Sequence, residues 1–184
     1  MYIPRVRTLT ILLTAVAVMS GAGAAMAKDR SELDGDARAA LASLYGDSPT
    51  ARVLGEKAKG ILVFPNIVKA GFIVGAQGGD GVLLKKDATV GYYNTAAVSY
   101  GLQAGVQTYG FVLFFMSADV MTSFENSSGW EIGVGPSIVV VDAGAAKDMT
   151  TLTGKADIYS FIFDQKGLMA GLGLKGSKIT KLSP

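Results

Sequence analysis

The side chains of this sequence leave few kinds of chemistry open. Its 184 residues include no cysteine and no histidine. Thiol nucleophiles, disulfides, cysteine-based metal centres and a Ser-His-Asp triad are therefore excluded. Carboxylates, lysines, hydroxyls and tyrosines remain, and acidic pairs such as Glu125 and Glu131 have no feature that distinguishes them from solvated surface charges. The composition favours a non-enzymatic protein without a cofactor or a metal.

Two short motifs resemble functional signatures, but their context argues against both. Residues 171–176 match the pattern G-x-G-x-x-G, yet only eight residues follow them. A dinucleotide-binding unit needs a helix and a second strand after that motif. We interpret 171–176 as a hairpin strand. Asn126-Ser127-Ser128 fits a glycosylation sequon, which is common by chance.

The N-terminus has the order of a secretory signal peptide. Two arginines precede the apolar stretch Leu9–Met19, and Ala25-Met26-Ala27 follows as a small-residue cleavage site. The apolar stretch is short for a membrane-spanning helix. We expect residues 1–27 to be removed and 28–184 to be exported as a single domain, periplasmic or peripheral on the cell envelope. An uncleaved membrane anchor is the alternative.

The charge of the expected domain is balanced. The whole chain has a net charge of +2, and residues 1–27 contain two arginines and no acidic residue, so 28–184 is neutral. No basic stripe with interleaved aromatic residues is present, and the sequence therefore indicates no nucleic-acid partner. The densest basic cluster lies near the C-terminus, at Lys175, Lys178 and Lys181.

Two helices are predicted at the start of the domain. Apolar residues recur at helical spacing over 33–44, with Ser31 as the expected cap and Gly46 as the expected end. Ser48 and Pro49 are typical of the N-cap and the first residue of a second helix.

Strands follow from Gly60 onward. We expect a strand that ends at Pro65, a hairpin turn at Gly78–Gly81, a further turn at Lys85–Asp87 and a last hairpin turn at Asp164–Gly167. A short helix is predicted from Ser117 to Phe124. The fold class is α+β, with the N-terminal helices packed on a strongly curved, glycine-rich antiparallel or barrel-like sheet that carries a short helical insertion. Sharp curvature explains the strand glycines better than a glycine-lined binding groove does.

Residues 96–107 alternate clearly between apolar and polar or small side chains. Because successive strand residues point to opposite faces, the apolar set is expected to face the core, with Gln103 and Gln107 on the opposite face. The apolar set is Val98, Tyr100, Leu102, Ala104 and Val106.

Six segments, in order along the domain, resemble the signatures of the SYLF-domain family. They are Lys59–Pro65, Gly91–Ala96, Gly101–Gly105, Ser128–Gly133, Phe163–Met169 and Leu174–Ile179. The resemblance covers about 28–182 and implies a lipid-binding domain. Eukaryotic members bind phosphoinositides or phosphatidic acid, and bacterial members are free-standing exported proteins. Because an exported protein meets no actin, the cytoskeletal role of the eukaryotic members is not implied here.

Lipid binding of this kind needs cationic side chains near apolar surface. Lys57, Lys59 and Lys69 are favoured because they flank Phe64 and Pro65, which we expect to form an exposed apolar turn that enters the headgroup layer. All the candidate headgroup ligands are lysines at turns or in clusters: Lys57, Lys59, Lys69, Lys85, Lys86, Lys175, Lys178 and Lys181.

The expected function is association with an anionic phospholipid surface in the cell envelope. A structural or protein-interaction module of the envelope that never contacts lipid is the first alternative, and its protein partners are unknown. A small outer-membrane barrel is the second, although the helical N-terminal part and the absence of an aromatic strand at the C-terminus speak against it.

Overall fold

The computed structural model of the chain describes residues 29–142, 156–167, 174 and 176–183, apart from the side chains of 100–104 and 142. The expected signal peptide, 1–27, lies outside the described residues.

Two helices open the described chain, as the apolar spacing predicts. Helix α1 spans Arg30–Asp47 and buries Leu33, Ala37, Leu41 and Leu44. Its cap is Asp29, whose carboxylate accepts from the Ser31 backbone N–H at 3.1 Å, so the expectation that Ser31 is the cap is wrong. An aspartate at this position satisfies a free N–H of the first turn.

Helix α2 spans Pro49–Lys57. The Ser48 hydroxyl accepts from the Ala51 backbone N–H at 3.2 Å, which confirms Ser48 as the N-cap and Pro49 as the first helical residue. The short helix α3, Ala118–Asn126, begins after the Ser117 cap, also as predicted. Its Phe124 ring lies 4.9 Å from the Tyr93 ring and 4.9 Å from the Phe115 ring, centroid to centroid.

One sheet of six strands carries the rest of the described residues. Its strands are β1 Gly60–Lys85, β2 Ala88–Phe115, β3 Trp130–Glu131, β4 Ile138–Asp142, β5 Ile158–Gly167 and β6 Lys178–Lys181. The order is β3-β6-β2-β5-β4, with β1 paired to β2. All pairings are antiparallel except that of β4 with β5, which is parallel.

Strands β1 and β2 form a single long hairpin that folds back on itself. A straight strand of the 26 residues of β1 would be about 85 Å long, far longer than a domain of this size. The ribbon bends at Ile73, which has φ +65°, and there the pairing shifts from Phe72↔Ala104 to Val74↔Tyr100. A Cβ on Gly71 would overlap the Cα of Gly75, so the chain closes tightly across the bend.

Further from the bend, glycine allows the two halves of β1 to pack closely. A Cβ on Gly79 would lie 2.5 Å from the Asn66 carbonyl oxygen, and a Cβ on Gly81 would lie 2.7 Å from the Val63 carbonyl oxygen. The sheet is therefore strongly curved, which confirms the predicted α+β class with a strongly curved sheet.

The curved sheet separates two apolar cores. Helices α1 and α2 cover one face, where Leu41 and Leu54 pack with sheet residues such as Phe114 and Phe161. The other face closes on itself around residues such as Phe64, Phe111 and Phe115 and is completed by α3.

Several expected strand ends are wrong. Pro65 does not end a strand, because β1 accommodates it at a register shift between Phe64 and Ile67, where a lost ladder hydrogen bond is tolerated. Gly78–Gly81 lies inside β1 because these glycines serve close packing, and the turn of the hairpin is Lys86-Asp87, as the second expected turn predicts. Asp164–Gly167 continues β5 past a register shift.

The predicted orientation of residues 96–107 is also wrong. Val98 is 80% exposed and Val106 is 60% exposed, whereas Gln107 is buried. The small and polar face lies inside because the ribbon can only fold back where its side chains are small. The side chains of Tyr100, Leu102, Gln103 and Ala104 lie outside the described residues.

Candidate functional site

The lysines favoured by the sequence do not form one surface. Phe64 is completely buried and Lys69 is 3% exposed, so the expected exposed apolar turn is absent. Pro65 is half-buried within β1. Lys57 and Lys59 are exposed, but they precede the start of β1, some 40 Å along the strand from the bend. Their grouping with Lys69 is therefore wrong.

The lysines at the hairpin turn occupy a different environment. The Lys85 ammonium lies 2.6 Å from a Glu125 carboxylate oxygen, which offsets its charge. Lys86 is exposed in the two-residue turn, and the Arg38 guanidinium donates to the Asp87 carbonyl oxygen at 2.8 Å beside it. This hydrogen bond connects the hairpin turn to α1.

The C-terminal basic cluster is better placed. Lys178 and Lys181 are exposed on β6, and Lys175 lies outside the described residues. Lys178 pairs with Ala96 on β2, two residues before Val98. This register brings Lys178 to one side of the bend in the β1–β2 ribbon.

The most apolar exposed surface of the described residues is the bend itself. We call it the apolar bend and define it by the exposed residues Val68, Phe72, Ile73, Val74, Val98 and Val106. Phe72 is 74% exposed and is the largest of them. They belong to one feature because Val106 pairs with Ala70 and Val98 pairs with Ala76, on the two arms that meet at Ile73. Clusters of exposed apolar side chains on soluble proteins commonly mark interaction sites.

A lysine lies on each side of the apolar bend. On β5, Lys166 is exposed and pairs with Thr108, which pairs in turn with Val68. Since directly paired residues point to the same face, the Lys166 side chain lies on the face that carries Val68. Lys178 occupies the opposite edge, as described above.

Acidic residues moderate this charge. Asp164 lies two residues before Lys166 on β5, and Glu131 pairs directly with Lys178. The net positive charge beside the bend is therefore small, and its most distinctive property is its exposed apolar area.

Sequence reasoning missed both the apolar bend and Lys166. The available signal was the segment Gly71-Phe72-Ile73-Val74-Gly75, in which two glycines enclose three bulky apolar residues. Glycines in a strand indicate a sharp bend or a close approach, and three consecutive apolar residues cannot all face one core.

Further features of the described residues concern metal ligands, membrane-spanning helices and clefts. No group of three carboxylates within these residues lies close enough together to hold a metal ion. None of the helices that the structure describes is long and apolar enough to cross a membrane. A cleft of about 290 Å³ lies between α1, α2 and the hairpin turn. Tyr45 lines it, and burial, with smaller contributions from Asp87 and Glu56, raises the pKa of Tyr45 to about 12.

The fold and this surface define a small α+β domain whose distinctive feature is an exposed apolar bend. Residues 96–183, just under half of the chain, match the Ysc84 family, described as "Las17-binding protein actin regulator". This match confirms the resemblance to the SYLF-domain family over those residues, and the description is that of a binding and regulatory family.

The curated relatives are longer eukaryotic proteins. The SH3 domain-containing YSC84-like protein 1 of Rattus norvegicus and that of Mus musculus are each 26% identical to this chain over 127 residues. The protein of the same name from Bos taurus is 25% identical. The aligned part is 66% of this chain and 37% of each relative, so the chain spans little more than a third of the length of the relatives it matches.

Proposed function

We propose that the chain is an exported, non-enzymatic phospholipid-binding protein that acts at a membrane surface of the cell envelope, with the apolar bend as its contact. The observation that carries the proposal is the exposure of Phe72, Val98 and Val106 on one bent ribbon. These side chains are largely exposed, and a lipid surface would bury them.

The apolar side chains supply most of the binding free energy in this proposal. Full burial of a Val or Phe side chain contributes roughly 1.5–3 kcal/mol relative to exposure. Phe72, Val98, Val106 and Val74 are each more than half exposed. Even partial insertion of several such residues is then sufficient for reversible attachment, comparable to that of other interfacial anchors.

Lys166 and Lys178 supply the electrostatic part. Both lie at the base of the bend, where an inserted bend would place their ammonium groups at the level of the lipid phosphates. Each basic side chain near an anionic membrane is worth about 1 kcal/mol, less where an acidic neighbour offsets it. The proposal therefore includes a preference for anionic lipid that salt weakens.

Three further observations support the export and the membrane role. The N-terminal sequence has the order of a signal peptide, the SYLF resemblance implies lipid binding, and the matched family is a family of binding proteins. Intact-mass analysis of protein from the periplasmic fraction tests export: the expected mass corresponds to a chain that begins at Lys28. A mass that retains residues 1–27 would contradict it.

Co-sedimentation with vesicles tests the lipid proposal directly. The chain is incubated with vesicles of phosphatidylcholine alone and of phosphatidylcholine mixed with an anionic phospholipid, at low and physiological salt. We expect binding to both, stronger to the anionic vesicles, with the difference reduced by salt. A chain that sediments with neither vesicle would be better explained as an envelope protein-interaction module, with the apolar bend as a protein contact.

A further inference from the structure

The cleft between α1, α2 and the hairpin turn lies at the open end of the folded ribbon. Because β1 bends back at Ile73, its two ends come together there, and Ile61 and Leu84 both line the cleft. Its volume of about 290 Å³ is close to the lower end of the range of small-molecule sites, roughly 300–1,000 Å³. The cleft therefore has room for one small ligand.

Part of the lining of the cleft is apolar. Leu41 of α1 and Leu84 of β1 are buried, and Ala58 and Ile61 are half-buried beside them. An apolar group that enters the cleft is removed from water by these side chains, which favours its binding.

Tyr45 adds a hydroxyl to this lining. Its ring stacks on that of Phe114 in β2, with 6.4 Å between the ring centroids. A Cβ on Gly55 would overlap the Tyr45 hydroxyl, so the hydroxyl lies directly against α2. Glycine is unfavourable inside a helix, and the space that the hydroxyl needs explains its presence at this position. The hydroxyl forms no hydrogen bond to another described residue.

Three charged side chains complete the lining of the cleft. They are Glu56 on α2 and Lys86 and Asp87 in the hairpin turn, all of them exposed. Both carboxylates lie near the Tyr45 hydroxyl, because Asp87 and, to a smaller extent, Glu56 add to the effect of burial in raising its pKa, while the Arg52 guanidinium opposes them. Within the part of the chain that the structure describes, none of the three charged side chains forms an ion pair, so all three are available to a ligand.

We propose that this cleft binds a free α-amino acid with an apolar side chain. The ligand ammonium donates to the carboxylates of Glu56 and Asp87 and to the Tyr45 hydroxyl oxygen, three acceptors for its three N–H groups. The Lys86 ammonium donates to the ligand carboxylate, and the apolar side chain of the ligand packs against Leu84. Hydrogen bonds between ionised groups are the strong ones, and they fix the orientation of the ligand.

The mixture of charges favours an amino acid over a simple amine. Lys86 would repel a ligand that carries only an ammonium group, whereas a zwitterion pairs with both the carboxylates and the lysine. The cleft lies at the ends of β1 and the apolar bend lies in its middle, so this inference does not depend on the proposed membrane contact.

NMR titration of the isotope-labelled chain tests the site with four soluble probes: leucine, glycine, isoamylamine and isocaproate. Isoamylamine is leucine without its carboxylate, and isocaproate is leucine without its ammonium group. We expect leucine to bind at least tenfold more tightly than isocaproate and glycine, which lack the ammonium group and the apolar side chain respectively, and severalfold more tightly than isoamylamine. The backbone resonances of Gly55 and Asp87 should shift, and that of Ile73 should not.

Variants of the charged residues separate the two ends of the ligand. Glu56→Gln should weaken leucine and isoamylamine binding by about tenfold each, because both ligands carry the ammonium group. Lys86→Gln should weaken leucine binding but not isoamylamine binding. Asp119→Asn is the matched control, since Asp119 is an exposed carboxylate on α3 outside the cleft, and this variant should bind leucine as the parent does. Because all three positions are exposed, urea denaturation midpoints should stay close to that of the parent.

The inference is overturned if leucine produces no saturable shifts, or if its shifts lie at the bend instead of the cleft. Isocaproate or isoamylamine that binds as tightly as leucine would also overturn it, as would Glu56→Gln that binds leucine as the parent does. Vesicle co-sedimentation of the parent with and without leucine keeps the two proposals distinguishable: vesicle binding without leucine binding would refute only the cleft, and the reverse would refute only the membrane role.

Discussion

Replacement of Phe72 by alanine is the most direct test of the apolar bend. Phe72 is 74% exposed, so the folded chain loses little packing when the ring is removed. Surface substitutions of this kind change the free energy of unfolding by no more than about 0.5 kcal/mol. Any larger effect on vesicle binding must then arise from the contact between the ring and the membrane.

The expected magnitude follows from the exposed area of the ring. About three quarters of it is available for burial, and full burial of a Phe side chain contributes up to about 3 kcal/mol. Alanine retains a small part of this, so the loss is about 2 kcal/mol, or about 30-fold in the partition coefficient. Because the lost contribution is apolar, the ratio between parent and variant should be the same at low and physiological salt.

Val140→Ala is the matched control. Val140 is 52% exposed, but it lies on β4, whose pairing with β5 places it near the end of the sheet away from the bend. Partition coefficients come from co-sedimentation over a range of lipid concentrations, and urea denaturation reports the fold of each variant. Phe72→Ala that partitions as the parent does, or Val140→Ala that loses binding by the same factor, would refute the assignment of the membrane contact to the bend.

Two further predictions concern the fold. Gly79→Ala should destabilise the chain by about 1–3 kcal/mol, because a Cβ there meets a backbone oxygen at 2.5 Å. Gly35→Ala, in open space within α1, should stabilise the chain by about 0.5–1 kcal/mol. Urea denaturation midpoints that move in the same direction for both variants would contradict the close-packing argument. Burial raises the pKa of Tyr45, Tyr93 and Tyr109 to about 12, above the ordinary value of 10.0. Their contribution to stability is therefore complete below pH 10 and is lost between about pH 10 and 12, because the unfolded chain ionises first. Phenolate absorbance should rise together with the loss of near-UV circular dichroism. Absorbance that rises fully while the near-UV circular dichroism is retained would contradict this prediction.

The helices could be predicted because their signals are local. Ser48 and Pro49 mark the start of α2 by capping and by a preset φ, and the apolar residues of α1 recur at the helical period. The turn at Lys86-Asp87 is also predicted, from the short polar run between two strand patterns, and both residues have the positive φ of the tight turns that join antiparallel strands.

The path of the long β1–β2 hairpin could not be predicted from local sequence signals. Glycine runs occur both in turns and where two backbones approach closely, and Gly78–Gly81 belongs to the second class. Only the contact of Gly79 with Asn66, thirteen residues away in the chain, distinguishes a turn from a close approach of two backbones. A local pattern does not contain that information.

The site was mispredicted for a related reason. Alternation in 96–107 correctly identifies two faces, but hydrophobicity alone does not say which face lies inside. In a ribbon that folds on itself, steric closure selects the small residues for the inside, and Gln107 follows them while Val98 and Val106 face out. The lysines were then grouped around Phe64, which is a core residue, instead of around the bend.

The outward apolar residues are informative because folding does not require them. Sharp curvature needs small residues only on the inner face, and a polar residue in place of Phe72 or Val98 on the outer face would leave the core unchanged. Exposed apolar side chains favour self-association, a cost that a domain without a surface to bind would have no reason to retain. Lys166 and Lys178 are exposed on either side of the same bend, so an apolar contact lies beside exposed cations. A phospholipid presents the same pairing, with an apolar layer beneath an anionic phosphate, and this correspondence is the physical argument for a membrane partner over a purely apolar protein partner.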